Sequence, residues 1–304
     1  MILAAGVVSA EKYPYKPLRV VTAAAGGGND LVGRLIAQGL TATLGKQVIV
    51  DNRGGIAAEI AAKAPADGYT LLFYGSAVWT TPFLRDNVPY DPVRDLSPIT
   101  LATKAPDIVV VHPSVPVKSI MELITLAKAK PGQLNYATGT MGASPHLAAE
   151  LFKAMAGADI VRVPYKGTGP SLNAVIAGEV QLMFPDAGPV MPHIKSGRLR
   201  ALAVTSAEPS ALAPGLPTVA ASGVPGYEAV SMLGMFAPAR TPPLLIKRLN
   251  QEVVQILMKV EVKERLLNAG TEAVGSSPEQ FAATIKSEIA KWGKVIKDAG
   301  IRAE

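Results

Sequence analysis

The sequence predicts an α/β protein of two lobes with a cleft between them, and three observations carry that expectation. The chain has 304 residues, enough for two buried cores and more than one ordinary domain usually holds. Short β-branched runs alternate with stretches of helical spacing, the pattern of β-α-β units. The opening sequence of strand, glycine-rich loop and helix then begins again near Asn135.

The elements follow in order. Leu18 to Val21 is a β-branched run leading into the glycine loop VTAAAGGGND, after which Val32, Leu35, Ile36, Gly39 and Leu40 recur at helical spacing. Asn29 or Asp30 can cap this helix and Gly45 closes it. QVIVDN, 47–52, reads as a buried strand, Gly54 and Gly55 open a small Ala-rich helix, PADG turns the chain, and YTLLFY, 69–74, is a third strand. DIVVVHPS, 107–114, is a strand closed by Pro113, followed by the helix SIMELITLAKAKPG. The restart, NYATGTMGASPHLAAELFKAMAG, holds a strand, a Thr- and Gly-rich loop, Ser144 as a cap, Pro145 at the first helical position and Gly157 at the far end. A helix over about 169–177 and the strands VQLMF and RALAV continue the unit. The Pro- and Gly-rich stretch 214–226 and the apolar YEAVSMLGMFAP return the chain to the first lobe. Two helical stripes end it: Ile246, Leu249, Val253, Leu257, and then Phe281, Ile285, Ile289, Trp292 behind the capping box of Ser277 and Gln280. The expected division is a first lobe of 11–111 and 227–304, each strand set forming a mostly parallel sheet flanked by helices, and a second lobe of 112–226.

Composition excludes several functions. Apolar residues make up 49% and charged residues 18% of the chain, which suits a compact, soluble, loop-rich protein. The net charge is +6, but the lysines and arginines are spread singly, without a basic block or interleaved aromatics, so nucleic acid is not an expected partner. There is no cysteine, which removes thiolate catalysis and Cys-ligated metals. MILAAGVVSA, 1–10, runs apolar into the small-residue positions Val8 and Ala10, like the tail of a secretory signal without its charged start, so an exported body is expected.

The chemical motifs fall short of catalysis. Gly28, Gly33 and Arg34 imitate a phosphate loop, but Arg replaces its lysine and Leu35 its Mg-binding hydroxyl; GxGxxG fails at Leu31. GASPH, 142–146, approaches a nucleophile elbow, yet His146 replaces the last glycine, and Ser144 and His146 diverge by about 200° on a helix. His112, His146 and His193 have no metal-ligand spacing. No catalytic residue, metal or cofactor is expected. What remains is one Gly- and Thr-rich loop per lobe, each feeding a helix start whose free N–H groups and dipole favour an anion. The dipole contributes roughly 0.3–1 kcal/mol and hydrogen bonds to a charged acceptor about 1.5–3 each, so a handful reaches micromolar affinity, about 8 kcal/mol, without Arg or Lys.

The chain also resembles, from about Tyr15 to Ile301, the Bug family of extracytoplasmic solute-binding proteins of tripartite tricarboxylate transporters. The landmarks are GGGND at 26–30 with Arg34, LGKQVIVDNRGG at 44–55, ADGYTLL at 66–72, YDPVRDLSPI at 90–99, SPHLAAELF at 144–152, VPYKGTGPSLNAVIAGEVQLMF at 163–184, GRLRALAV at 197–204 and LPTVAASGVPGYE at 216–228. The resemblance implies a periplasmic, type II-like Venus flytrap fold, a small mono- or dicarboxylic acid as ligand, a monomer, and a membrane permease of large and small subunits as partner. It also implies binding by Ala24, Ala25, Gly26, Gly27, Asn29 and Asp30, by Gly75 and Ser76, by Thr138, Gly139, Thr140, Ser144 and His146, and by Asp186. Glycine and alanine amides and Ser and Thr hydroxyls would donate, while Asp30 and Asp186 would orient water or a ligand donor. Departures at Ala23 to Ala25, where the family carries proline or an aromatic, imply a wider pocket, and Asn29, where it carries Thr, offers an amide donor in place of a hydroxyl. Two other functions remain: a carboxylate sensor coupled to a signalling partner, and an esterase using Ser144.

Overall fold

A computed structural model describes residues 13–26, 28–139 and 141–302. The expected signal remnant at 1–10 lies outside the described residues, as do Gly27 and Thr140. No helix among the described residues is long and apolar enough to cross a membrane.

Two sheets form the two lobes. In the first, β1 (Leu18–Thr22), β2 (Val48–Asn52) and β3 (Thr70–Gly75) run parallel. The long strand β10 (Val230–Pro238) runs antiparallel to β3, β4 (Leu96–Pro106) runs antiparallel to β10 and so in the direction of β1–β3, and the short β11 (Glu272–Ala273) lies at the edge, in the order β11-β4-β10-β3-β1-β2. The second sheet is ordered β7-β6-β8-β5-β9 and comprises β5 (Ile108–Val111), β6 (Leu134–Thr138), β7 (Ile160–Pro164), β8 (Leu182–Met183) and β9 (Arg200–Val204). Here β6 pairs parallel with β7 and β8, while β5 is antiparallel to β8 and β9.

Both sheets are therefore mixed, not mostly parallel. Each lobe receives a strand that the chain uses to cross from the other lobe, and a crossing strand enters against the direction set by the β-α-β units.

Alternation of side chains puts a hydrophobic layer on each face of each sheet. In the first lobe Leu18, Val20, Leu71 and Phe73 face the helices α1 (Gly28–Leu44) and α8 (Pro243–Leu257). Their neighbours Val21, Leu72 and Phe236 face Trp79 of α3 (Ala77–Leu84) and Phe281 of α10 (Pro278–Asp298). In the second lobe Val109, Val111, Tyr136 and Phe184 pack on α4 (Ile120–Ala129) and α5 (Ser144–Ala156), and Ile108, Val110 and Met183 pack on α6 (Thr168–Ile176) and α7 (Ala187–Lys195). The predicted stripe on α1 is buried as spaced, and Gly45 terminates the helix at φ +66°, a left-handed conformation that glycine adopts without strain. Gly39 lies against Ile256 of α8, where a Cβ would come within 2.7 Å of that side chain.

The lobe boundary differs from expectation in two places. Ile108–Val111, expected in the first lobe, is an interior strand of the second sheet, between β8 and β9, so the first crossing falls at Asp107. The end of α10 also leaves the first lobe: Phe281 and Ile285 sit in that lobe's core, whereas Trp292, Val295 and Ile296 sit with Leu147, Leu151 and Phe152 in the second. The capping box that opens this helix is present, with Ser277 Oγ accepting from Gln280 N–H and the Gln280 side chain accepting from Ser277 N–H.

Candidate ligand-binding cleft

The first glycine loop is set by local polar bonds. Its tip, Ala24 to Gly26, is exposed, and Gly26 has φ +87°. Asp30, in the first turn of α1, turns back to accept from Gly26 N–H at 3.0 Å and from Asn52 Nδ2 at 2.9 Å, and pairs with Arg34 Nε at 2.8 Å. The Gly26 amide foremost, with Asn52 and Arg34, holds its carboxyl below the usual carboxylate range. Asn52 also donates to Ala23 O at 2.8 Å. Asp30 thus shapes the loop from within, with its oxygens turned to the protein.

The second glycine loop is set by buried groups. Thr138 ends β6 fully buried, and the backbone of Gly139 passes so near Gly167 that a Cβ would lie 2.8 Å from its carbonyl carbon. His146 is only 2% exposed, and its Nδ1 accepts from Gly142 N–H at 2.9 Å. Burial, aided by Arg162, pushes this imidazole down to about 4, so it is neutral at pH 7. The residue expected to cap α5, Ser144, is instead the first residue of that helix; the cap is Ala143, which supplies no side-chain bond, and Ser144 Oγ donates to Asp107 Oδ2 at 3.0 Å. With Ser144 bonded to Asp107 and His146 to Gly142, the two do not form a nucleophile and base pair.

Asp107 had no role in the sequence reading. It is 0% exposed and bridges the backbone of Asp186, the residue before α7. Asp107 N–H donates to Thr205 Oγ1 at 2.7 Å and Thr205 N–H returns to Asp107 O at 2.9 Å. Burial, then the neighbouring Asp186 charge, raises the Asp107 carboxyl well above its ordinary value; burial raises Asp186 as well.

A cavity of about 400 Å³ opens between the lobes. Gly26, Asn29 and Val32 from the start of α1, with Ser231 and Leu233 of β10, form one wall; Asp186, Gly188 and Pro189 from the start of α7 form the other. The turn Ala269–Thr271 closes the end, where Gly188 and Gly270 meet so tightly that a Cβ on Gly270 would lie 2.7 Å from Gly188 Cα. No lysine or arginine is among the described lining residues. The Asn29 amide oxygen is buried without a hydrogen-bond donor from the protein.

Of the expected site residues, Gly26, Asn29 and Asp186 share this cavity. Gly75 adjoins it, since a Cβ there would lie 3.8 Å from Asn29 Oδ1. Ser144 reaches Asp186 only through Asp107. Ser76 begins α3, half-buried, and Thr138 and His146 are packed behind their loop. Sequence reading missed Asp107, Asn52, Gly188 and Thr271. Only Asp107 carried a signal, an acid opening the strand DIVVV that becomes wholly buried.

Comparison with known proteins places this geometry. The family model of the tripartite tricarboxylate transporter family receptor matches residues 32–301. Protein BugT of Bordetella pertussis is 35% identical over 307 residues, covering 98% of this chain and 94% of that protein. Among solved structures, an R. palustris protein with adipate is 36% identical with a TM-score of 0.81, over 95% of this chain and 99% of its own. MatC of Rhodopseudomonas palustris, with bound malate, is 28% identical with a TM-score of 0.77, over 93% and 100%. The periplasmic binding protein BugD is 31% identical with a TM-score of 0.78, over 96% and 100%.

Proposed function

The chain belongs to the tripartite tricarboxylate transporter receptor family, and from that premise we propose that it captures one small organic carboxylate between its lobes and delivers it to a membrane permease of large and small subunits. As in the family, its work is periplasmic solute binding and not catalysis. It is exported and acts as a monomer.

The observation that carries the reading is the cavity itself. It is bounded by the start of α1 on one lobe and the start of α7 on the other, with no cationic side chain among its described lining residues. An anion bound there is held by main-chain N–H groups and helix ends, which need no counter-ion. The exposed Ala24, Ala25 and Gly26 let the backbone approach the ligand, and Asn29 extends the same wall. Gly75, Ser76, Gly139 and Ser144 complete the grip as the lobes close, while Asp30, Thr138 and His146 keep the loops in shape. Closure follows because the ligand touches both halves only in the shut state, so binding shifts the open–closed equilibrium. The hinge lies where the chain crosses between sheets at Asp107 and again at Ala229, both bonded to Thr205.

A thermal-shift screen of organic acids, starting with adipate and malate, tests this. An acid present at a hundredfold excess over its Kd should stabilise the protein by about 2.7 kcal/mol. The reading is lost if no carboxylic acid raises the melting temperature while sugars or nucleotides do.

A further inference from the structure

Asp107 presents an unusual problem of charge. It is fully buried, one oxygen accepts only the Ser144 hydroxyl, and the other, Oδ1, has no hydrogen-bond donor among the described N–H and O–H groups. The groups that face it are named by the packing: Asp186 across the strand bridge, Ser144 at the start of α5, Thr205 after β9, and Tyr227 ahead of β10, whose hydroxyl already donates to Ala148 O. None is a cation. An ionised carboxylate in such a place lacks both solvent and counter-charge, and a second carboxyl beside it makes two charges untenable. The orphan oxygen and the adjacent acid are resolved together by one hydrogen.

We propose that Asp107 is a positioning residue, that it and Asp186 hold one proton between them, and that the Asp107 O–H donates to the Asp186 carboxylate at the floor of the cleft. Ser144 donates to the second oxygen of Asp107, so one protonated acid fixes both the wall before α7 and the first residue of α5. Because Asp107 also locks to Thr205 through its backbone, this arrangement sits where the chain passes between sheets. Burial raises both carboxyls, and the hydrogen bond from Asp107 offsets part of the rise at Asp186, which marks Asp186 as the member that keeps the charge. The pair titrates as a unit. A charged Asp186 on the cavity wall repels a second carboxylate and favours a ligand end that is neutral or donates a hydrogen bond. That consequence for ligand choice rests on the receptor reading above; the proton itself does not.

The test therefore uses no ligand. Infrared spectra of the full chain at pH 7 should show the carbonyl stretch of an un-ionised carboxylic acid, and Asp107→Asn should remove it. The unfolding midpoint gives a second readout. A folded-state pKa raised above the unfolded value contributes stability at low pH that is lost as pH rises, so the midpoint of Asp107→Asn relative to the wild type should climb steadily between pH 4 and pH 8. A purely structural role would shift the midpoint equally at every pH. Absence of the acid band in the wild type, or a constant midpoint difference, overturns the proposal and leaves the carboxylate reading standing. Should Asp107→Asn fail to fold, the wild-type spectrum followed through its pH titration decides alone. Failure of the organic-acid screen, conversely, leaves this result untouched.

Discussion

The two glycine-rich loops at the cleft look alike in sequence and are held by opposite means. The loop before α1 is exposed, and its order comes from charges near the surface: Asp30 with Gly26 N–H, Asn52 and Arg34. The loop before α5 is packed inside, and its order comes from groups kept neutral by burial: His146 on Gly142 N–H and Asp107 on the Ser144 hydroxyl. A surface network tolerates substitution and weakens with salt, whereas a buried network answers to pH and to volume. One architecture, strand to glycines to helix, thus gives a pliable jaw in one lobe and a rigid one in the other.

The largest effect should come from acidifying the rigid loop. His146 titrates near 4 when folded and near 6.5 when unfolded; its contribution is complete above 6.5 and is lost as pH falls through 4. Between pH 7 and pH 4 the wild type should lose about 3 kcal/mol more unfolding free energy than His146→Asn, whose amide oxygen can still accept from Gly142 N–H. Equal pH profiles in urea titrations would place the histidine outside the network.

Glycine substitutions sharpen the contrast at intermediate size. Gly139→Ala drives a Cβ to 2.8 Å from the Gly167 backbone and should cost about 1–3 kcal/mol by overpacking. Gly26→Ala meets nothing within 4 Å, so only its φ of +87° opposes it, at roughly 1–2 kcal/mol. If denaturant midpoints ranked the two in reverse, the description of a rigid and a pliable jaw would not stand. The smallest effect belongs to Arg34→Ala. Its guanidinium is half exposed, so the loss should be about 0.2–1 kcal/mol and should fade between low and high salt. A salt-independent loss would mean that Arg34 packs the loop and does not pair with it.

Much of the fold was legible because burial follows period. The stripe Val32, Leu35, Ile36, Leu40 and the run DIVVV could hardly be other than α1 and β5, and the Ser277 to Gln280 box marked the start of α10 three residues before its first buried ring. The strand β4 was not read, since LSPITLATKAP mixes two prolines and a lysine into a largely buried run without alternation, and its ladder with β10 carries register shifts. Sheet direction was misjudged for a related reason. Local periodicity says that a segment is a strand, not which neighbour it will meet, and β10 meets β3 and β4 head to tail. At the site, the loops announced themselves through glycine, but the pairing of Asp107 with Asp186 joins residues remote in sequence, and no local pattern encodes it. His146 was noticed as a ring near the cleft, and its place bracing the loop from behind appears only once burial is known.

The last helix, α10, belongs to both cores at once. Its 21 residues span about 32 Å, with Phe281 anchored at one end and Trp292 and Val295 at the other. Such a beam cannot follow a free swing of the jaws. Any change in the angle between the lobes must therefore bend it or shift its end against α5, so the swing is tied to the packing around Trp292 as well as to the strands that cross.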